Sequence, residues 1–203
     1  MDHLKGLNEK QKETVLQKDG PLLVLAGAGS GKTKTITHRI FHLVSEGVSP
    51  SRILAITFTN KAAKEMRERV VSLLGSSPLA KLSISPSEMP FVSTFHSLGV
   101  RIIKENSREL GIPRHFTIFD KSDSLKAVKD ILKELDVDPK QFEPSKILGI
   151  ISREKGCLTS VENYLEKAGE FRAYSLNKMV ANVWPLYEKK LEQEKSLDFD
   201  DLL

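Results

Sequence analysis

Residues Leu22-Leu23-Val24-Leu25-Ala26-Gly27-Ala28-Gly29-Ser30-Gly31-Lys32-Thr33 decide how this 203-residue chain is read. A short apolar run between Gly20-Pro21 and a glycine-rich turn suits a buried parallel strand. The lysine and threonine that close the turn open a helix expected from Lys32 to Glu46, with Ile36, Ile40, Phe41 and Val44 on one face. Strand, glycine turn, Lys-Thr and helix in that order make a P-loop. Glycines let consecutive backbone N–H groups converge on one point, and the helix N-terminus adds partial positive charge. Ala26, Gly27, Ala28, Gly29, Ser30 and Gly31 would wrap phosphate oxygens. Lys32 would supply a full charge to the β- and γ-phosphates, and Thr33 a hydroxyl to Mg²⁺. Ala26 stands where the usual pattern has glycine. A dinucleotide-binding turn is the rival use of such glycines, and Lys32-Thr33 is wrong for it.

Working outward, strand and helix signals alternate. Asn8 with Gln11 three residues on reads as a capping box opening a helix to about Lys18. Ile53-Leu54-Ala55-Ile56-Thr57-Phe58 is a second strand, followed by a helix from about Lys61 to Leu74 that Gly75 stops. Residues 76–90 are rich in Ser and Pro and form a loop, Phe91 to Thr94 is a third strand, and Phe95 to Glu109 is helical. This alternation predicts an α/β fold, a P-loop NTPase with a parallel sheet. From Ser122 onward the pattern is helical, as in Leu125, Val128, Ile131, Leu132 and Leu135, with further helices near 144–153, 160–168 and 174–195. Pro185 should bend or restart the last. The expected organisation is a nucleotide-binding domain over 1–110, a helical subdomain over 111–195 and a return segment over 196–203, with the change of character near 106–120.

Composition narrows the class. With 39% hydrophobic and 29% charged residues, the chain is neither a disordered tail nor a membrane protein. No apolar run approaches the ~18 residues of a spanning helix, and the polar N-terminus has no signal-peptide pattern. Cys157 is the only cysteine, so no internal disulfide forms. A cytoplasmic protein is expected. The net charge of +4 is unevenly spread: residues 1–105 carry an excess of six basic groups and residues 106–203 an excess of two acidic ones. The first half therefore favours an anionic partner, although uneven solvation charge alone remains an alternative.

Three further segments carry chemistry. Gln11 is a cap residue or a reader of an adenine edge, because an amide donates and accepts at once. Phe58, Thr59, Asn60 and Lys61 end the second strand, where open α/β sheets bind ligands. They read either as a stacking face with phosphate or sugar contacts, or as a core phenylalanine beside a helix cap. Thr94, Phe95, His96 and Ser97 repeat the arrangement at the end of the third strand, with a structural His96 as the plain alternative.

Taken in order, Leu7–Gln11, Ala26–Thr33, Ile56–Ala63, Thr94–Ser97 and Leu197–Leu203 closely resemble the motifs of the UvrD/PcrA/Rep group of superfamily 1 DNA helicases, across the whole chain. The resemblance implies a first RecA-like ATPase domain with a helical insertion, in a 3′→5′ motor on single-stranded DNA that acts at single-strand/duplex junctions. It implies that Gln11 reads adenine, that Gly29, Gly31, Lys32 and Thr33 hold ATP and Mg²⁺, and that Phe58 to Asn60 and Thr94 to Ser97 contact DNA. Lys34 departs from the arginine common after the P-loop threonine; it keeps the charge and loses the planar stacking group. In the family an acidic pair for Mg²⁺ and water activation follows the segment matched by Asp198–Leu203. Asp200-Asp201 is the alternative for that pair, against which stands that Glu194 to Phe199 does not read as the apolar strand it should follow. The chain is therefore expected to be the front part of a longer helicase whose remaining domains complete the site, with negligible turnover alone. A small P-loop kinase and a nucleotide-gated DNA-binding module without turnover are the alternatives.

Overall fold

The computed structural model describes residues 4–75, 88–138, 140–170 and 175–203. They form two compact units, Met1–Phe95 and His96–Leu203.

In the first unit, α1 (Glu9–Leu16) opens with the expected capping box. Asn8 Oδ1 accepts from the Gln11 amide at 2.9 Å, and Gln11 Oε1 accepts from the Asn8 amide at 3.0 Å. α1 packs on α2 (Lys32–Ser45) through the fully buried Val15. Arg39 ties the two together, donating to the carbonyls of Thr14 and Gln17. β1 (Leu54–Thr57) lies beside β2 (Phe91–Thr94) in a parallel pair, with Leu54 opposite Phe91 and Thr57 opposite Thr94. α3 (Asn60–Gly75) covers them. Ile40, Phe41 and Val44 of α2 meet Met66, Val70 and Leu74 of α3 over Ala55 and Val92, a core in which each full burial is worth about 1.5–3 kcal/mol. Of the face expected on α2, only Ile36 stays out, at 43% exposure.

The strand expected before the glycine turn does not form. Leu22–Leu25 is not a strand, and Leu23 and Leu25 are 84% and 89% exposed. A parallel strand is stable only when neighbours satisfy its N–H and C=O groups, and no described strand pairs with this run. The expected parallel sheet is therefore reduced to the β1–β2 pair and a second small pair. Of the loop expected over 76–90, residues 76–87 lie outside the described ones.

The second unit starts within α4 (Phe95–Glu105), shorter than the helix expected to Glu109, and contains α5 (Lys121–Glu134), α6 (Pro144–Gly156), α7 (Val161–Glu166) and α8 (Leu176–Gln193). The compact units divide at Phe95–His96, before the change in sequence character near 106–120, because α4 packs against the end of the chain. β3 (Thr117–Ile118) and β4 (Ser196–Leu197) form the second parallel pair. Val128, Ile131 and Leu132 of α5 pack with Ile147 and Ile151 of α6 around Trp184 and Tyr187 of α8. α8 continues through Pro185 without the restart that was one of the two expectations for it. Val183, Trp184 and Tyr187, all buried, flank the proline, and their packing outweighs one lost backbone bond.

Candidate nucleotide and nucleic-acid site

Gly31 caps α2 in the left-handed region, at φ 82°, and Gly29 sits at φ 75°, conformations that suit glycine. α2 begins without a side-chain cap, so its first-turn amides are available to an anion. Ser30 Oγ donates to the Gly27 carbonyl at 2.8 Å, closing the turn. Lys32 Nζ folds back on the Ala26 and Gly27 carbonyls, at 3.2 and 2.7 Å. A lysine held by its own loop carbonyls therefore stands beside the uncapped amides, a cationic cradle. Thr33 follows in the first helical turn and is half-buried.

The segment before the loop joins this cradle. Gln11 Nε2 donates to the Ser30 carbonyl at 3.0 Å, and a Cβ on Gly31 would stand 2.8 Å from that same nitrogen. Residues 19 positions apart thus meet at the mouth of the loop. Lys34 Nζ donates to the Gly6 carbonyl at 2.7 Å and so anchors the backbone leading into α1. Beside the cradle an open pocket of about 380 Å³ has Val24, Leu25 and Ile36 as an apolar side and Asn8, Gln11 and Lys32 as a polar one. Lys10, Thr14 and Thr35 also line it. Sequence reading missed these three because nothing in their spacing marks them. Among the described residues no cluster of three or more His, Cys, Asp or Glu could hold a metal ion. The donor set at the loop suits a cation that arrives with phosphate oxygens, with Thr33 adding one hydroxyl.

The parallel register brings the two strand-end segments together. Because Thr57 lies opposite Thr94, the residues that follow them, Phe58 and Phe95, stand side by side with ring centroids 5.7 Å apart and planes 45° apart. Phe58 is 91% exposed and is not a core residue; Phe95 is half-exposed. Thr57 and Thr94 are buried beneath them. Thr59 Oγ1 accepts from the Ala62 amide at 3.1 Å and so serves as the α3 cap, while Asn60 and Lys61 are exposed at the start of that helix. An exposed aromatic pair beside exposed polar groups can take the face of a planar base. In the second unit, His96 stacks edge-on against Phe199, with centroids 5.3 Å apart, and Ser97 is half-buried.

The second unit also holds a buried ionic cluster that no local pattern announced. Lys155 Nζ lies 2.8 Å from Glu188, 2.9 Å from Asp198 and 2.8 Å from Asp201, with its side chain 9% exposed. Tyr187 Oη donates to Asp198 at 3.1 Å and lies 2.9 Å from Ser124 Oγ. Asp198 Oδ1 accepts from the amides of Asp200 and Asp201, and Asp201 Oδ2 accepts from the Asp198 amide, all at 3.0 Å. Burial alone would push the Lys155 ammonium down, but the Asp201, Glu188 and Asp198 charges hold it well above its usual range. Burial likewise pushes Asp198 up, and the Lys155 charge with its hydrogen bonds brings it below the ordinary aspartate value. Burial pushes the Tyr187 phenol up.

Loop, lysine and helix together mark the fold as that of a P-loop NTPase. The model of the UvrD/REP helicase N-terminal domain matches residues 7–203, and the chain belongs to this family. It is similar to proteins described as ATP-dependent DNA helicase PcrA from Bacillus subtilis (48% identical), Staphylococcus epidermidis (44%) and Staphylococcus aureus (43%), each over 201 residues. These alignments cover 98% of this chain and 25–26% of the relatives, so the chain spans about a quarter of their length. Among the described residues no helix is long and apolar enough to cross a membrane.

Proposed function

We propose that this chain is the ATP-binding and single-stranded-DNA-binding front of a cytoplasmic 3′→5′ DNA helicase, acting at single-strand/duplex junctions in repair or replication. The observation that carries the reading is the convergence of Gln11, the Gly29–Gly31 turn and Lys32 on one pocket. In this reading the first 110 residues contribute a RecA-like lobe, with 111–195 as its helical insertion and 196–203 returning to it. Phosphates lie on the Gly27–Lys32 amides, Lys32 swings from its loop carbonyls to the β- and γ-phosphates, and Thr33 holds Mg²⁺. The apolar side of the pocket would take adenine, with Gln11 to read it. Phe58 and Phe95 form a stacking face for DNA bases, with Thr59, Asn60 and Lys61 toward the backbone. Thr94, His96 and Ser97 continue that track. Hydrolysis needs an acidic Mg²⁺ ligand, a base for water and arginine charge, which the remaining domains of the longer protein supply.

Two measurements test this. Lys32→Ala should weaken ATP binding by at least ~2 kcal/mol, because it removes a charge-assisted bond; unchanged affinity refutes the cradle. ATP hydrolysis by the 203-residue chain should be negligible with and without single-stranded DNA, whereas the longer chain should hydrolyse ATP faster with DNA. DNA-stimulated turnover by the short chain would overturn the division of labour.

A further inference from the structure

α1 is only eight residues long, a length that is marginal on its own, and its last turn carries no basic residue to meet the carbonyls left over at its end. Arg39, one turn past Ile36 on α2, supplies what is missing. Its Nη1 donates to the Thr14 carbonyl at 2.7 Å and to the Gln17 carbonyl, so a full positive charge lies against the negative end of the α1 dipole. A second tie at that end, the Lys18–Glu46 ion pair, is open to solvent and holds little. Before the start of α1, Lys34 Nζ holds the Gly6 carbonyl. The short helix is thus clipped to α2 on both sides, with Val15 buried in the contact. These clips bear on the pocket beside the P-loop. Asn8, Lys10, Gln11 and Thr14 form its α1 side, and Thr35 and Ile36 its α2 side. Arg39 lines no part of it; it holds the backbone of Thr14, the last α1 residue on that side. A two-turn helix released at its C-terminal end frays back from Thr14 toward Gln11, which widens the pocket and loosens the Gln11 amide.

We propose that Arg39 is a positioning residue for base recognition: by holding the C-terminal end of α1 against α2 it sets the pocket width and the place of the Gln11 amide, and with them the preference for adenine over guanine. The inference rests on the reading of Gln11 and the P-loop as an ATP site given above, and it concerns residues of the first compact unit alone. An amide can meet adenine's amino group and the neighbouring ring nitrogen with one bond each, whereas guanine presents an oxygen in place of that amino group. Such a distinction depends on where the amide stands. Arg39 touches neither base nor phosphate and acts through the Thr14 and Gln17 carbonyls. The phosphate half of the site belongs to the glycine turn and the start of α2, about two helical turns before Arg39, and does not depend on the end of α1. The two halves therefore separate when Arg39 is replaced: base preference falls and triphosphate affinity stays. Lysine at this position keeps the charge at the helix end but not the planar fork, so it keeps only part of the preference.

The experiment titrates the 203-residue chain with ATP, GTP and inorganic tripolyphosphate, each with Mg²⁺, by calorimetry. It compares the unsubstituted chain, Arg39→Met, Arg39→Lys, Gln11→Ala and the Gln11→Ala/Arg39→Met pair, with Tm read by circular dichroism. Arg39→Met should weaken ATP binding by about two- to tenfold, the size of one net hydrogen bond, and should lower the preference for ATP over GTP by a similar factor. Its affinity for tripolyphosphate should change by less than about twofold, below that range. Arg39→Lys should fall between Arg39→Met and the unsubstituted chain. In the Gln11→Ala background Arg39→Met should cause no further loss of preference, because both changes act on one contact. An unchanged preference in Arg39→Met refutes the positioning role, and so do additive losses in the pair. Equal weakening of ATP and tripolyphosphate refutes it too, as does unfolding of both Arg39 variants, because Arg39 would then serve the fold or the phosphate cradle. An unsubstituted chain that binds ATP no tighter than GTP, or a Gln11→Ala variant that keeps the preference, refutes instead the adenine reading and leaves Arg39 nothing to position.

Discussion

Replacing Lys155 by methionine isolates the buried cluster of the helical unit. Methionine keeps most of the apolar stem and removes the ammonium. It leaves Asp198, whose side chain is 5% exposed, and Asp201, at 21%, facing one another and Glu188 without a cation. Removing one partner of a buried ion pair costs about 3–5 kcal/mol, because the remaining charge is desolvated and uncompensated. Lys155→Met should therefore lose that much at neutral pH. The pH dependence has a definite sign. The Lys155 ammonium is raised above the ordinary lysine value of 10.5, so its stabilisation is complete below that pH and is lost only as pH rises through the folded value. Asp198 is lowered from 3.8, so its share is present above 3.8 and lost as pH falls through the folded value. Asp201 runs the other way: burial and the Asp198 charge outweigh Lys155 and push its carboxyl up, so its share favours acid. Without Lys155 both carboxyls move up. The variant should therefore gain stability as pH falls from neutrality, narrowing its deficit, where the parent has none of that gain from Asp198. The assay is urea unfolding followed by the fluorescence of Trp184, the single tryptophan, 2% exposed in this core. A loss below about 1 kcal/mol at neutral pH, the size of an exposed pair, would refute the reasoning.

Other substitutions probe other links of the argument. Leu158→Gly should stabilise the chain by about 1 kcal/mol in the same unfolding assay, because Leu158 ends α6 at φ 57° with its side chain 89% exposed. Tyr187→Phe should cost about 1–3 kcal/mol, since it strips a buried donor from Asp198 and a partner from Ser124. Phe58→Ala should leave stability within about 0.5 kcal/mol, the side chain being almost wholly exposed, while weakening oligothymidylate binding by ~1–3 kcal/mol as read by fluorescence anisotropy. Gln11→Ala should destabilise α1 by about 1 kcal/mol through the lost cap, and should also weaken ATP binding.

Helices were legible because their causes are local. The capping box of Asn8 and Gln11 and the spacing of Ile40, Phe41 and Val44 act within a few residues, and α1 and α2 form where those signals lie. Leu22–Leu25 failed for the opposite reason: apolar character is local, but strand formation depends on neighbours from distant chain. Pro185 does not restart the helix because its effect is local and the packing of Trp184 and Tyr187 around it is not. Gln11 carried two readings that the structure does not separate, since one amide caps α1 and touches the P-loop. For Phe58 exposure removes the core alternative. Lys155 gave no signal because its aspartate partners are 43 and 46 residues away.

The in-register pairing of Thr57 with Thr94 has a consequence for how this chain tolerates change in length. Side chains alternate faces along a strand, so one residue inserted into β1 would turn Phe58 away from Phe95 and expose Thr57 in its place. Substitutions among Leu54–Thr57 trade one side chain for another and leave the spacing intact. Insertions and deletions there change the spacing itself, and the two rings lose each other at a stroke. The strand pair works as a ruler: its residues can be edited, but its count cannot.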